Sequence, residues 1–424
     1  MKISAPKGTH DILPGESGKW IWLENILRQA AGRYGFSEIR FPAFEHTELF
    51  LRGIGDTTDV VQKEMYTFQD KGGRSITLRP EGTASTVRAF VEHGLHTTPM
   101  PFKCYYIAPN FRYENPQKGR LRQHHQFGVE CFGAKEPSAD AEIIALGNDV
   151  MANTGLQNVS LRINSVGCPS CRPGYNQKLI KFLENCRPKL CQDCNNRLSR
   201  NPMRILDCKN ENCRAEIKDA PVGTDSLCDD CSTHMEQLKI YLEYMGISFD
   251  VDPSIVRGLD YYTKTVFEFI NDGITLCGGG RYDDLVRALG GPVTPGLGFG
   301  CGLERLLMML KRQNVTDKPW EGCDIYIAAL GVAADRHSMR LCNQLRSHGF
   351  SAERDICGRG LKAQMKHADK IGARYTFVLG EHELTTEKIE LKDMATGQIH
   401  AGNLEISFLE GILGNRGRNH SDGG

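Results

Sequence analysis

The 424-residue sequence predicts an α+β domain with antiparallel strands, a cysteine-rich insertion within it, and a separate C-terminal α/β domain. Three patterns carry this reading. Two alternating runs flank a polar, glycine-containing connection between Lys103 and Gly133, the pattern of a long antiparallel hairpin. Nine of the 16 cysteines crowd between Cys168 and Cys231. From about Cys323 onward, short apolar strands alternate with helical segments, the pattern of a compact α/β unit. A chain of this length exceeds one ordinary core, so two or three domains are expected.

Composition narrows the class. Lys and Arg total 52 and Asp and Glu total 52, so the net charge is zero and gives no overall signal for nucleic acid, although a local basic surface stays open. The start, MKISAPKGTHDILPGES, has no apolar leader segment, and no run approaches the ~18 apolar residues of a membrane span. A soluble cytoplasmic protein with no membrane partner is expected. Cysteines there stay reduced, which favours buried thiols or metal ligands over disulfides.

Taken in order, Ser17 is placed to cap a helix running to about Tyr34, with Trp20, Leu23, Ile26, Leu27, Ala30 and Tyr34 on one face. In FSEIRFPAFEHTELFLRGIG a short strand ends at Pro42 and an amphipathic segment follows, either a packing unit or a subunit interface. Ser75 to Arg79 reads as a strand, turned by Pro80-Glu81-Gly82-Thr83 into a helix to about Glu92. Glu81 and Thr83 can bind an ammonium there, and Thr83 reads equally as a helix cap. Within the hairpin, Arg112 and Glu114 sit where the first strand ends, and Lys118, Arg120 and Arg122 fill the connection. Gln126 and Glu130 share one face of the second strand by their even spacing, whereas the adjacent His124 and His125 face opposite ways and do not read as a joint metal site.

A helix from Ala139 to Asn153 and a strand from Val159 to Asn164 lead into the cysteines. The CxxC pairs are Cys168/Cys171, Cys191/Cys194 and Cys228/Cys231, with Cys208 and Cys213 between them and Cys186 apart. Two such knuckles close a tetrahedral thiolate cage around structural zinc; unoccupied thiols and an iron–sulfur cluster are the other readings. Cys168, Cys171, Cys228 and Cys231 rank first as zinc ligands, with Cys191, Cys194 and Cys208 as substitutes or members of a second set, and a closed thiolate site predicts about one zinc per chain. After a helix from Ser232 to Met245 comes VRGLDYYTKTVFEF, Val256 to Phe269, in which Arg257, Asp260, Tyr261 and Tyr262 precede an alternating strand. Next, LCGGGRYDDLVRALGG sets three glycines before a helix bearing Tyr282 and matches neither the GxGxxG nor the GxxxxGK[ST] pattern. GLGFGCGLERLLMMLKR reads as a strand from Gly296 to Gly300 and then a helix with Arg305 in its first turn, where the charge adds to the amide dipole facing an anion; a surface arginine is the plain alternative. The C-terminal part reads as DIYIAAL, a helix over 334–347, FSAER, a helix over 361–371, YTFVLG, KIELKDM and a last helix over 404–413. Residues 314–321 read as a linker, and the tail from Gly414 as disordered.

Together these stretches resemble the histidyl-tRNA synthetase family of class II aminoacyl-tRNA synthetases, over nearly the whole chain. RFPAFEHTELF is similar to motif 1, FRYENPQKGRLRQHHQFGVECFG to motif 2 and GLGFGCGLERL to motif 3, while RGLDYYTKTVFEF and GGGRYDDLV are similar to the two histidine-specific signatures. The resemblance implies a catalytic domain with a mostly antiparallel sheet over 1–165 and 247–315, a cysteine-rich helical insertion over 166–246 lying over the tRNA acceptor arm, an anticodon-binding domain over 322–413, and a homodimer. It implies that ATP and Mg2+ convert histidine to histidyl-adenylate and that tRNA(His) then receives the histidine. Arg112 would meet the α-phosphate and carboxylate region, Glu114 the adenine, Arg305 the γ-phosphate and Arg257 the α-phosphate, with Arg257 and Arg112 in the catalytic roles. Glu81, Thr83 and Gln126 would hold the ammonium of histidine and Glu130, Tyr262 and Tyr282 its imidazole, with Tyr261 beside them. The alternatives are a non-catalytic, synthetase-like regulatory subunit of histidine biosynthesis, and a zinc-based nucleic-acid binder that leaves motifs 2 and 3 unexplained.

Overall fold

The computed structural model describes residues 3–55, 58, 60–117, 119–315 and 322–414. Lys118, most of the expected linker and all of the expected tail after Gly414 lie outside the described residues. The chain forms two compact units, Met1–Asp317 and Lys318–Gly424.

In the first unit, helix α1 (Pro14–Arg33) begins at a proline, whose missing N–H is no loss in a first turn. Ser17 therefore lies inside the helix and does not cap it; its hydroxyl donates to the Pro14 carbonyl at 3.2 Å. Strands β1 (Ser37–Glu38) and β2 (Phe44–His46) lie on either side of Pro42, and α2 (Thr47–Ile54) follows. Strands β3 (Tyr66–Gln69) and β4 (Ser75–Leu78) join β2 in a small sheet of order β2-β4-β3, and α3 (Thr83–Glu92) leaves from β4. The hairpin is β5 (Phe102–Phe111) with β6 (Gln123–Phe132). Helix α4 (Pro137–Asn153) and strand β7 (Ser160–Ser165) come next, and four helices fill the cysteine-rich stretch: α5 (Arg172–Cys186), α6 (Gln192–Arg197), α7 (Glu211–Glu216) and α8 (Asp229–Tyr244). The chain re-enters the sheet through β8 (Asp250–Val251), β9 (Thr263–Asn271) and β10 (Ile274–Arg281), passes a short α9 (Leu285–Ala288), and ends on β11 (Gly296–Gly302) and α10 (Leu303–Arg312).

The eight-stranded sheet has the order β1-β5-β6-β11-β10-β9-β7-β8. Its inner pairings are antiparallel, and only the two-residue edge strands β1 and β8 pair in parallel. The period of two sorts its faces. Phe127, Val129 and Cys131 of β6 join Phe267, Phe269 and Phe299 in the main core, under Leu23 and Leu27 of α1, Ile144 of α4, Leu238 of α8 and Leu306 of α10. The even-numbered residues of β6, Gln126 and Glu130 among them, face the other way. That second face carries the candidate site. Tyr282 follows β10 directly and precedes α9, and the three glycines lie inside β10, so the expected helix bearing Tyr282 is replaced by a strand end.

The second unit comprises β12 (Ile325–Ala329), α11 (Val332–Ser347), β13 (Ala352–Arg354), α12 (Leu361–Lys370), β14 (Tyr375–Leu379), α13 (Glu381–Thr386), β15 (Lys388–Asp393), β16 (Ile399–Asn403) and α14 (Ile406–Gly414). Its sheet order is β13-β12-β14-β15-β16, parallel among the first three strands and antiparallel beyond. The expected strands and helices are present, with two further elements. Helix α13 is a short polar segment, and β16 is an edge strand with no buried residue, so neither carries an apolar period to read.

Candidate active site

The site starts at the turn between β4 and α3. A helix leaves its first N–H groups without partners, and Glu81 supplies them: its carboxylate accepts from the amides of Thr83 and Ala84, each at 2.8 Å. The cap is thus Glu81, with Gly82 at the N-cap position, and the alternative reading of Thr83 as a cap is not realised. The Thr83 hydroxyl instead donates to Oε1 of Glu130 at 2.7 Å. Tyr106 of β5 donates to the same oxygen at 3.3 Å, and Tyr282 donates to Oε2. Glu130 is 1% exposed, and burial beside the Glu81 carboxylate pushes its pKa up to about 8 against the pull of these hydroxyls. Burial raises that of Glu81 as well. Two carboxyls and three hydroxyls therefore share one enclosed patch, and the Glu130 carboxyl holds a proton near neutrality.

Aromatic rings wall this patch. Tyr261 lies 4.8 Å from Tyr262 and 5.6 Å from Tyr282 between ring centroids. Gln126 stands further along β6, its carbonyl oxygen accepting from Asn110 Nδ2 at 2.7 Å. Room for these side chains comes from the facing strand: a Cβ at Gly298 would overlap the Glu130 carboxylate and the Val129 carbonyl.

On the same face, the Arg257 guanidinium bonds Glu268 of β9 and lies 5.8 Å from the Tyr262 ring. It fits only because β10 has glycine at 278, where a Cβ would overlap it. Burial works against its charge, and Tyr262 and Glu268 outweigh that, raising its pKa. The buried Nε has no hydrogen-bond partner among the described residues. Arg112 donates from Nε to the Pro80 carbonyl at 2.8 Å, one residue before the capping Glu81. Arg305, in the first turn of α10, donates to the carbonyls of Gly119 at 3.1 Å and Thr275 at 2.7 Å. Burial and the neighbouring Arg120 and Arg112 lower its pKa, while Glu114 opposes them and accepts from Arg120 at 3.4 Å. Arginines that crowd together and point at carbonyls make a region that calls for an anion.

Glu81, Thr83, Glu130, Tyr261, Tyr262 and Tyr282 are thus brought together, with Arg257 against Tyr262; Arg112, Arg120 and Glu114 gather around Arg305. His124 and His125 do diverge: His125 bonds Glu304 and packs on Trp20, whereas His124 is pushed down to about 3 by burial, with Arg112 and Arg305 alongside. Tyr106, Asn110 and Glu268 belong to the site without having been singled out in the sequence. Their signal was register, since Tyr106 lies opposite Gly128 and Asn110 opposite His124 on the paired strand.

The cysteines form two separate groups, Cys168/Cys171/Cys228/Cys231 and Cys191/Cys194/Cys208/Cys213, each with its sulfurs within 4.8 Å of one another. The first is the leading set expected from sequence. Of the two roles open to Cys191, Cys194 and Cys208, the structure gives the second set, which Cys213 completes.

The family model for histidyl-tRNA synthetase matches residues 8–171 and 191–306, and that for an anticodon binding domain matches 324–414. The histidine–tRNA ligase of Caldanaerobacter subterraneus subsp. tengcongensis is 54% identical over 402 residues, covering 94% of this chain and 96% of that one. That of Thermoanaerobacter pseudethanolicus is 55% identical over 414 residues, covering 97% and 98%. The chain belongs to the histidyl-tRNA synthetase family. The apo S. aureus histidyl-tRNA synthetase structure superposes with a TM-score of 0.82 at 42% identity, covering 98% of this chain and 99% of that one. In the terms of this synthetase family, motif 1 spans β2 and enters α2, motif 2 is the end of β5 with the connection and β6, and motif 3 is β11 with the start of α10. No helix among the described residues is long and apolar enough to cross a membrane.

Proposed function

We propose that this chain, as a member of that family, activates histidine with ATP and transfers it to the 3′-terminal ribose of tRNA(His). The observation that carries the reading is the placement of Arg257, paired to Glu268 and against Tyr262, on the sheet face that also holds the Glu130 cluster. Histidine enters with its imidazole at Glu130, Tyr262 and Tyr282 and its ammonium toward Glu81, Thr83 and Gln126. Its carboxylate attacks the α-phosphorus of ATP, forming the acyl–phosphate bond as the bond to pyrophosphate breaks. Arg112 and Arg257 meet the charge that builds on the α-phosphate, Arg305 holds the γ-phosphate, Glu114 lies at the adenine, and Mg2+ enters with the nucleotide as part of the substrate. The site rejects amino acids without ring nitrogens because Glu130 and its hydroxyl partners would then be buried with an unmatched group.

The second unit binds the anticodon, and the protein works in the cytoplasm as a homodimer. Exposed Phe44 and Leu51 in the motif 1 stretch, with Phe68 nearby on β3, support an apolar contact there. A structural zinc ion sits among Cys168, Cys171, Cys228 and Cys231.

Pure protein is expected to exchange labelled pyrophosphate into ATP only when histidine is present, and to histidylate tRNA(His). Absence of exchange would overturn the enzyme reading. Gly278→Ala is expected to slow exchange at least about tenfold, because the new methyl meets the guanidinium of Arg257 and displaces it. Unchanged exchange would show that Arg257 is free to work from another position.

A further inference from the structure

The second cysteine group has the geometry of a metal site in its own right. Zinc held by four thiolates at about 2.3 Å implies sulfur–sulfur edges of about 3.8 Å, against about 2.05 Å for a disulfide. In the first group Cys168 lies 3.7 Å from both Cys171 and Cys228, and Cys171 lies 3.9 Å from Cys231. In the second, Cys191 and Cys208 are 3.9 Å apart and all four sulfurs lie within 4.8 Å. An amide points at sulfur in both: Cys168 N at Cys171 and Cys191 N at Cys213, each at 3.1 Å. The insertion is also poor in core. Apart from cysteines, the buried residues of its own cluster are Tyr175, Leu179, Leu183, Leu190, Leu198 and Ile205, a small core to hold α5, α6 and α7 without a staple.

What lies between the ligands gives the second site a purpose. The segment from Cys194 to Cys208 carries Asn201, whose amide donates to Asp260 at 2.6 Å, and Arg204, which donates to the Arg257 carbonyl at 2.9 Å. At the other end of the same loop, Arg172, the residue after Cys171, donates to the Tyr262 carbonyl. Each cysteine group thus anchors one end of the loop from Arg257 to Tyr262. We infer that Cys191, Cys194, Cys208 and Cys213 bind a second zinc ion, and that this ion holds Asn201 and Arg204 as positioning residues against the backbone that carries Arg257.

The metal count tests the site independently of activity; only the positioning step rests on the role proposed for Arg257. Full-length protein purified without chelator is expected to carry two zinc ions per chain by plasma mass spectrometry, and Cys213→Ser and Cys171→Ser to carry one each. One zinc or none in the unaltered chain, iron in place of zinc, or two zinc ions retained by Cys213→Ser would overturn the second site. Should Cys213→Ser be insoluble, X-ray absorption on the unaltered chain decides: an all-sulfur shell of four is expected, and an average shell with nitrogen or oxygen overturns it. Arg204→Ala is expected to keep both ions and its melting temperature while lowering kcat for pyrophosphate exchange about tenfold, with partial recovery in Arg204→Lys. Unchanged kcat, or loss of zinc and stability together with kcat, would overturn the positioning role. If the unaltered chain shows no exchange at all, the proposed function fails and the metal count stands.

Discussion

Arg257→Ala is expected to lower histidine-dependent pyrophosphate exchange by about 100- to 1,000-fold, equivalent to roughly 2.7–4 kcal/mol of transition-state stabilisation, while the KM for histidine moves far less. The expectation rests on where the guanidinium stands. One Nη is committed to Glu268, which fixes the fork, and the buried Nε has no partner among the described residues, so a donor is held ready without one. A preorganised donor contributes most where charge develops, and in adenylate formation that is the α-phosphate. Removing Arg257 also strands the Glu268 carboxylate, which among the described residues keeps the Thr275 hydroxyl at 2.9 Å as its hydrogen-bond donor. The double variant Arg257→Ala/Glu268→Gln separates the two effects: it is expected to recover melting temperature and to leave exchange as slow as in the single variant. Equal losses in exchange and in histidine affinity would make the arginine a ground-state anchor.

Much of this was legible because local chemistry and global fold agree. The hairpin, the alternating strand after Tyr262 and the glycine-rich β11 all carry their own periodicity, and Pro80 to Thr83 announces a strand-to-helix turn. What stayed hidden depended on partners distant in sequence. Ser17 looks like a cap until Pro14 is seen to start the helix earlier. Thr83 looks like a cap because the helix begins there, yet a buried glutamate two residues earlier takes the amides and frees the hydroxyl for Glu130, 47 residues away. Cys213 belongs to no CxxC pair, so spacing could not assign it to Cys191 and Cys194. Tyr282 reads as part of a helix that follows the three glycines, whereas those glycines lie within a strand, where they make room for Arg257 and for the neighbouring backbone.

Glu130→Gln is expected to raise the KM for histidine about 2- to 10-fold, the effect of weakening one neutral hydrogen bond of roughly 0.5–1.5 kcal/mol. A carboxyl with a pKa of about 8 is a weaker acid than an imidazolium, whose ordinary value is about 6.5, so it keeps its proton beside the ring and donates it in a hydrogen bond; an amide N–H is a weaker donor there. The same residue links stability to pH, with a definite sign. Its folded-state pKa is raised from an unfolded value of about 4.3, so its contribution to stability is fully present below that pH and is lost as the pH rises through about 8. Glutamine does not titrate and carries no such loss. The stability of Glu130→Gln relative to the unaltered protein is therefore expected to improve steadily between pH 5 and 8 and to level off above, as read from urea midpoints at matched ionic strength. A difference that does not change with pH would mean that Glu130 is ionised throughout, with Thr83, Tyr106 and Tyr282 stabilising the anion, and histidine would then meet a standing carboxylate in place of a proton donor.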